Sequence, residues 1–214
     1  MHTSGTSPVM ALEQAGLLGS DVQLVHPLLT TPEERAVLKM RDVRYSTSPT
    51  GEARRPASVG VIQLGELLEA GIKVSLSTDH TTNASCDPFG AMRLLFSLHQ
   101  HRLGAKVPLT MKRLVQLATL DGAVDLGIAG RTGSLTPGKR ADMILVRTTD
   151  LNMAPVIDPF YALVYSGAPA NVDTVVVDGR ILKQGGKFTA LNADEVVREA
   201  RESVASLQSR MGAR

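Results

Sequence analysis

Cysteine, tryptophan and long apolar runs are what this sequence has least of, and each shortage narrows what the chain can be. A single cysteine, Cys86, among 214 residues excludes an intramolecular disulfide. A reduced, cytoplasmic compartment is the default expectation for such a chain. No apolar stretch reaches the roughly 18 residues needed to span a bilayer. The opening Met-His-Thr-Ser-Gly-Thr-Ser-Pro has neither the basic nor the apolar segment of a signal peptide. Aromatic residues make up only 3% of the chain and tryptophan is absent, which argues against stacking platforms for single-stranded nucleic acid. Charge is close to balanced, at +2 overall. The dense basic spots are Arg54-Arg55 and Lys139-Arg140, too short to follow a phosphate backbone. Neither nucleic acid nor membrane is expected as a partner.

What is present is an ordinary globular balance, 43% hydrophobic and 21% charged. After Pro8, Val9, Leu12, Ala15 and Leu18 recur at helical spacing and Gly19 closes the run. Val22 to Val25 reads as a short buried strand ending at His26. Thr31-Pro32-Glu33-Glu34 opens a helix, with Thr31 as N-cap, Pro32 at the first position and Glu34 completing a capping box. That helix runs to about Met40, and Val43 to Tyr45 is a weak strand. A polar loop over 46–58 is long enough to suggest function or mobility. A helix over 61–70, with Gly71 just past its end, leads to a strand from Lys73 to Ser77 and then to Thr78-Asp79-His80. Helices over 87–103 and 110–120 follow. This alternation is the pattern of parallel βα units.

The pattern changes after Gly133. Met143 to Val146 and Val172 to Val177 are short β runs, and Asp178-Gly179 marks a hairpin into Arg180-Ile181-Leu182. Gly185-Gly186 makes a second turn before Lys187-Phe188-Thr189, and 194–207 is a charged amphipathic helix. The expected division is 1–130 for the α/β part, 131–190 for a small β domain and 191–214 for a terminal helix.

In parallel α/β folds the reactive groups lie beyond the carboxyl ends of the strands. His2, His26 and Asp79 fall at such places. Taken singly each has a plain structural reading: a lone histidine after a strand is more often structural, and an aspartate after Ser-Thr can cap the next helix. His99-Gln100-His101 has the spelling of a metal-binding pair. Within a helix, however, residues two apart point roughly 200° from one another, so the two imidazoles do not converge on one ion.

The run Leu67-Leu68-Glu69-Ala70-Gly71-Ile72-Lys73-Val74-Ser75-Leu76-Ser77-Thr78-Asp79 closely resembles the last barrel strand of the amidohydrolase superfamily. The segment from Gly133 through Thr136-Pro137-Gly138-Lys139-Arg140-Ala141-Asp142 to Val146 is similar to that superfamily's return into its small β domain. Val172 to Lys183, with Val176-Val177-Asp178-Gly179-Arg180, resembles the closing hairpin. The three motifs stand in family order, and the likeness is strongest to the cytosine-deaminase, chlorohydrolase and aminohydrolase branch.

That resemblance implies an α/β fold in which this chain is the C-terminal half of a (β/α)8 barrel, strands five to eight. It also implies part of a small β-sandwich and a C-terminal helix. One divalent metal, Zn²⁺ or Fe²⁺, is implied as cofactor. His2 corresponds to the fifth-strand metal ligand and His26 to the sixth-strand histidine that polarises the substrate. Asp79 corresponds to the eighth-strand ligand, which also serves as base. His80 stands where the family often has glycine, which makes it a candidate substrate contact. Tyr45 and the loop residue Arg54 are candidate specificity residues. Gly5 stands where deaminases of the family often carry a glutamate proton shuttle.

The chemistry implied is hydrolysis of a carbon–nitrogen bond, or a related bond, in a small cyclic or amide substrate. A divalent ion held by imidazole and carboxylate lowers the pKa of bound water from 15.7 to about 7, and a neighbouring carboxylate can carry the proton to a leaving amine. No HxH pair precedes His2. The expectation is therefore an incomplete site, either in a truncated product of a longer enzyme or in a chain that pairs with an N-terminal half or a second copy, with no turnover by the isolated chain. The alternative is a catalytically inactive half-barrel used as an interaction or small-molecule-binding module.

Overall fold

Helix starts in this chain are written in Ser/Thr/Asp-Pro pairs, and the computed structural model follows them. It describes residues 7–26, 28–55, 62–80, 85–102 and 106–212. Helix α1 (Pro8–Gln14) begins at Ser7, whose hydroxyl accepts the Met10 amide at 3.1 Å. Strand β1 (Gln23–Val25) leads to α2 (Pro32–Met40), where the capping box forms as expected. The Glu34 amide donates to Thr31 Oγ1 at 3.2 Å, and the Thr31 amide donates to Glu34 Oε2 at 2.7 Å. Strand β2 (Arg44–Thr47) starts slightly later than the apolar pattern suggests, and a one-turn helix α3 (Pro49–Glu52) interrupts the loop read over 46–58.

Helix α4 (Leu64–Glu69) ends before Gly71, whose φ of 70° is the left-handed value that stops a helix cheaply only at glycine. Strand β3 (Lys73–Leu76) and helix α5 (Pro88–His101) follow. The run read as one helix over 110–120 is two, α6 (Met111–Leu117) and α7 (Leu120–Asp125). Thr119, with φ −130° and ψ −89°, breaks them apart, and its hydroxyl bonds back to the Val115 carbonyl at 2.7 Å.

Strands β1, β2 and β3 form a parallel sheet in that order, with Leu24, Tyr45 and Val74 in register across it. Side chains alternate between the two faces. One face carries Tyr45 and Val74 into a core shared with Leu38, Leu64 and Leu67 of the helices, all nearly inaccessible. The other face is polar: Gln23 Nε2 and Ser75 Oγ both donate to Asp125 Oδ2 on α7, and Arg44 donates to the Asp125 carbonyl at 2.8 Å.

Strand β4 (Met143–Val146) belongs to a second, antiparallel sheet. After α8 (Pro159–Tyr161), which continues into a π-helical turn over Ala162–Ser166, come β5 (Val172–Val177), β6 (Arg180–Gln184) and β7 (Lys187–Phe188), in the order β4-β5-β6-β7. Asp178 and Gly179, at φ 51° and 77°, make the tight β5–β6 turn that the sequence announces. Helix α9 (Ala193–Met211) closes the chain with no buried residue.

By its contacts the chain forms two compact units, one of Met1–Lys139 with Thr148–Pro169 and one of Arg140–Arg147 with Ala170–Arg214. The segment 148–169 thus groups with the parallel-sheet unit and α9 with the antiparallel one. The succession 1–130, 131–190 and 191–214 stays a reading of the sequence. Among the described residues no helix is long and apolar enough to cross a membrane.

Candidate functional site

Because β1, β2 and β3 run parallel, their carboxyl ends lie along one edge, and the residues just beyond them are brought together. His26 follows β1 and Asp79 lies three residues past the end of β3. Each is held in the left-handed backbone region, at φ 59° and 60°. Histidine and aspartate tolerate this region better than most residues, for which it costs about 1–2 kcal/mol. Such conformations cluster at functional sites. For Asp79 a local bond helps, since its amide donates to Ser77 Oγ at 3.0 Å.

His26 stands between two carboxylates. Its Nδ1 faces Glu52 Oε1 at 3.0 Å, and its Nε2 lies 3.6 Å from Asp79 Oδ2. Ser48 Oγ is a second neighbour of Nδ1 at 3.2 Å. His80 Nε2 approaches the same Asp79 oxygen at 3.7 Å, so two imidazoles converge on one carboxylate. Both Asp79 and His80 remain open to solvent. Gly51 makes room for this arrangement, because a Cβ there would come within 3.1 Å of Asp79 Oδ2.

Glu52 is the member of the cluster that sequence reasoning missed. Its side chain is 2% exposed and is tied down by the Ser48 amide at 2.8 Å and Thr47 Oγ1 at 2.7 Å. The Ser48-Pro49 pair does announce a helix start, but a capping box looks three residues past the cap, where Gly51 sits. Glu52 is one position further on and caps the same amide from there.

The other expected site residues part from this cluster. Tyr45, a candidate for substrate contact, is 0% exposed, on the strand face that turns into the helical core. Its hydroxyl finds no partner among the described residues. Burial, with the negative charges of Glu52 and Glu34 nearby, pushes its ionisation well above the usual phenol range. Strand alternation is the reason: one register position decides the face, and Tyr45 falls on the dry one. Tyr45→Phe is therefore expected to leave the His26–Asp79 cluster undisturbed. It should hold or raise the thermal midpoint, since an unpaired buried hydroxyl costs about 1–3 kcal/mol. A clear loss of stability in a melting experiment would show that the hydroxyl has a partner.

Arg54 is exposed two residues beyond Glu52. His2 lies outside the described residues. His99 is buried with Nε2 at 2.9 Å from the Val107 carbonyl, a structural role that agrees with its separation from His101. Cys86 is exposed, with Sγ 3.7 Å from Thr78 Oγ1.

Among the described residues no three His, Cys, Asp or Glu side chains are arranged to hold a metal ion. The donor chemistry at Asp79 suits a divalent cation, but these residues alone do not complete its shell.

The sequence profile of the amidohydrolase family matches residues 2–182. The chain is 31% identical over 205 residues to a 5-methylthioadenosine/S-adenosylhomocysteine deaminase of Syntrophomonas wolfei, covering 95% of this chain and 47% of that protein. It is 34% identical over 207 residues to a 5'-deoxyadenosine deaminase of Methanothermobacter thermautotrophicus, covering 96% and 48%. Its fold matches the crystal structure of an adenosine deaminase from Xanthomonas campestris with bound zinc. There the TM-score is 0.90 and the identity 23%, over 97% of this chain and 47% of that one. The chain thus spans about half the length of the relatives it matches. A profile match across most of its residues, with relatives more than 30% identical over nearly all of it, settles its descent: the chain belongs to the amidohydrolase family.

Proposed function

We propose that this chain is the C-terminal half of a (β/α)8-barrel hydrolase that releases ammonia from an amino-substituted ring of a small molecule. The three parallel strands would be barrel strands six to eight. The antiparallel sheet would be part of a composite β-sandwich. One observation carries the reading: His26 Nε2 and Asp79 Oδ2 face each other at 3.6 Å beyond the carboxyl ends of β1 and β3, which pairs an imidazole and a carboxylate for proton traffic at one point.

In this reading Asp79 takes a proton from the attacking water and delivers it to the departing amine. His26 Nε2, the nitrogen left open for exchange, takes up a proton and donates it to the ring or to the oxyanion that develops on it. With Gly5 in place of a family glutamate, these two groups carry the proton transfers between them. His80, at the open side of Asp79, contacts the substrate, and the exposed Arg54 is available to a polar substituent. A divalent metal, zinc as in the Xanthomonas relative or ferrous iron, would be held by Asp79 and His2, with further imidazoles from outside this chain. When bound, such an ion acidifies water to near neutrality.

The deaminase relatives support a purine-like substrate, and their double length supports a missing half as partner. A second copy of the chain is the alternative partner. The single exposed Cys86 is consistent with a reduced, cytoplasmic setting. An inactive binding module is the second reading, favoured by the incomplete donor set among the described residues.

The test is to isolate the native polypeptide that carries this sequence, measure its metal content and assay ammonia release from adenine nucleosides. Turnover with close to one metal per site is expected there, and none from the 214-residue chain alone. Metal-free native protein without turnover would favour the binding module. Turnover by the isolated chain would overturn its incompleteness.

A further inference from the structure

We infer that Glu52 is a positioning residue for His26: it holds the proton on Nδ1 and so presents Nε2 to Asp79 and the reacting side. The inference rests on the proposed role of His26, but its geometry stands apart from any metal. Both Glu52 oxygens are engaged by the end of β2. Oε2 accepts from Thr47 Oγ1, and Oε1 accepts from the Ser48 amide while facing His26 Nδ1 at 3.0 Å. An ionised carboxylate only accepts, so the nitrogen facing it must donate. The Glu52 side chain is 2% exposed, so water has little access to its end of that bond, and a charge-assisted bond is about twice as strong as a neutral one.

The ring is therefore anchored on its Nδ1 side. Its Nε2 side is not: 3.6 Å from Asp79 Oδ2 is too long for a direct hydrogen bond. Ser48 Oγ, at 3.2 Å, can accept part of the same Nδ1–H. Which ring nitrogen is free for chemistry is set by what the other one bonds, and here a buried acid makes the choice. Gly51, between Ser48 and Glu52, lets the short helix α3 pass beside Asp79 while delivering Glu52 to His26.

The experiment is a long-range ¹H–¹⁵N correlation spectrum of histidine-labelled chain, at a pH where the rings are neutral, on the wild type, E52Q and E52L. Wild-type His26 is expected to carry its proton on Nδ1, and a proton on Nε2 overturns the inference whatever the variants do. In folded E52L the Nδ1 preference should be lost while His99 and His101 keep their signals. Its retention overturns the inference, and E52Q should keep the fold with a shifted His26 signature. In the native polypeptide, E52Q should lower kcat by about 10²-fold with little change in KM, the cost expected of a mis-set catalytic group. The spectrum needs neither metal nor substrate. Failure of the deaminase reading would leave it unchanged, whereas failure of the positioning role would show in it directly.

Discussion

On the proposed deaminase reading, replacing Asp79 by asparagine should cut ammonia release by the native polypeptide by about 10²–10⁴-fold, the range typical of a lost acid–base group, and should lower its metal content in parallel. Asparagine is the informative change because it keeps the fold. Asp79 sits at φ 60°, where asparagine is at ease. Alanine there would add about 1–2 kcal/mol of backbone strain and confuse chemistry with stability. Asparagine also keeps one carbonyl oxygen in place beside His26 and His80, while removing the charge that the proposed mechanism uses to take and return a proton. The measurement is kcat and KM for D79N beside its melting curve. Turnover close to wild type in D79N would remove Asp79 from the reaction.

Leu67→Ala is expected to cost heavily in stability. Leu67 is 0% exposed on α4, which lies against β3. Truncating a fully buried leucine typically costs about 2–5 kcal/mol, through lost burial and the cavity left behind. Against a domain stability of about 5–15 kcal/mol, that is enough to shift the unfolding midpoint of the parallel-sheet unit by a wide margin. Leu207, half exposed on α9, serves as a control in the 214-residue chain, because exposed substitutions usually stay within about 0.5 kcal/mol. Urea titrations of the two variants should separate clearly. Equal midpoints would mean that α4 contributes little to the core.

Much of the fold could be read from local patterns. The Thr31-Pro32-Glu33-Glu34 box and the Asp178-Gly179 turn formed as written, because the interactions that make them span three or four residues and need nothing distant. The break between α6 and α7 was not legible, since Thr119 and its neighbours continue the apolar period and only the backbone reveals the interruption. Tyr45 was misplaced for a related reason. Its strand was recognisable, but which face points into the helical core depends on register with β1 and β3.

The site divides along the same line. By itself the sequence determined the family, through motifs around Asp79 and in the closing hairpin, and it marked His26 and Asp79 as residues just past strand ends. Only the tertiary structure decided that these two face each other, that His80 shares the same carboxylate, and that Glu52 stands behind His26. Local rules act over one turn or one hairpin. The convergence of His26, Glu52 and Asp79 needs strands far apart in the chain to pair in one parallel order, and that order is set by burying a common core.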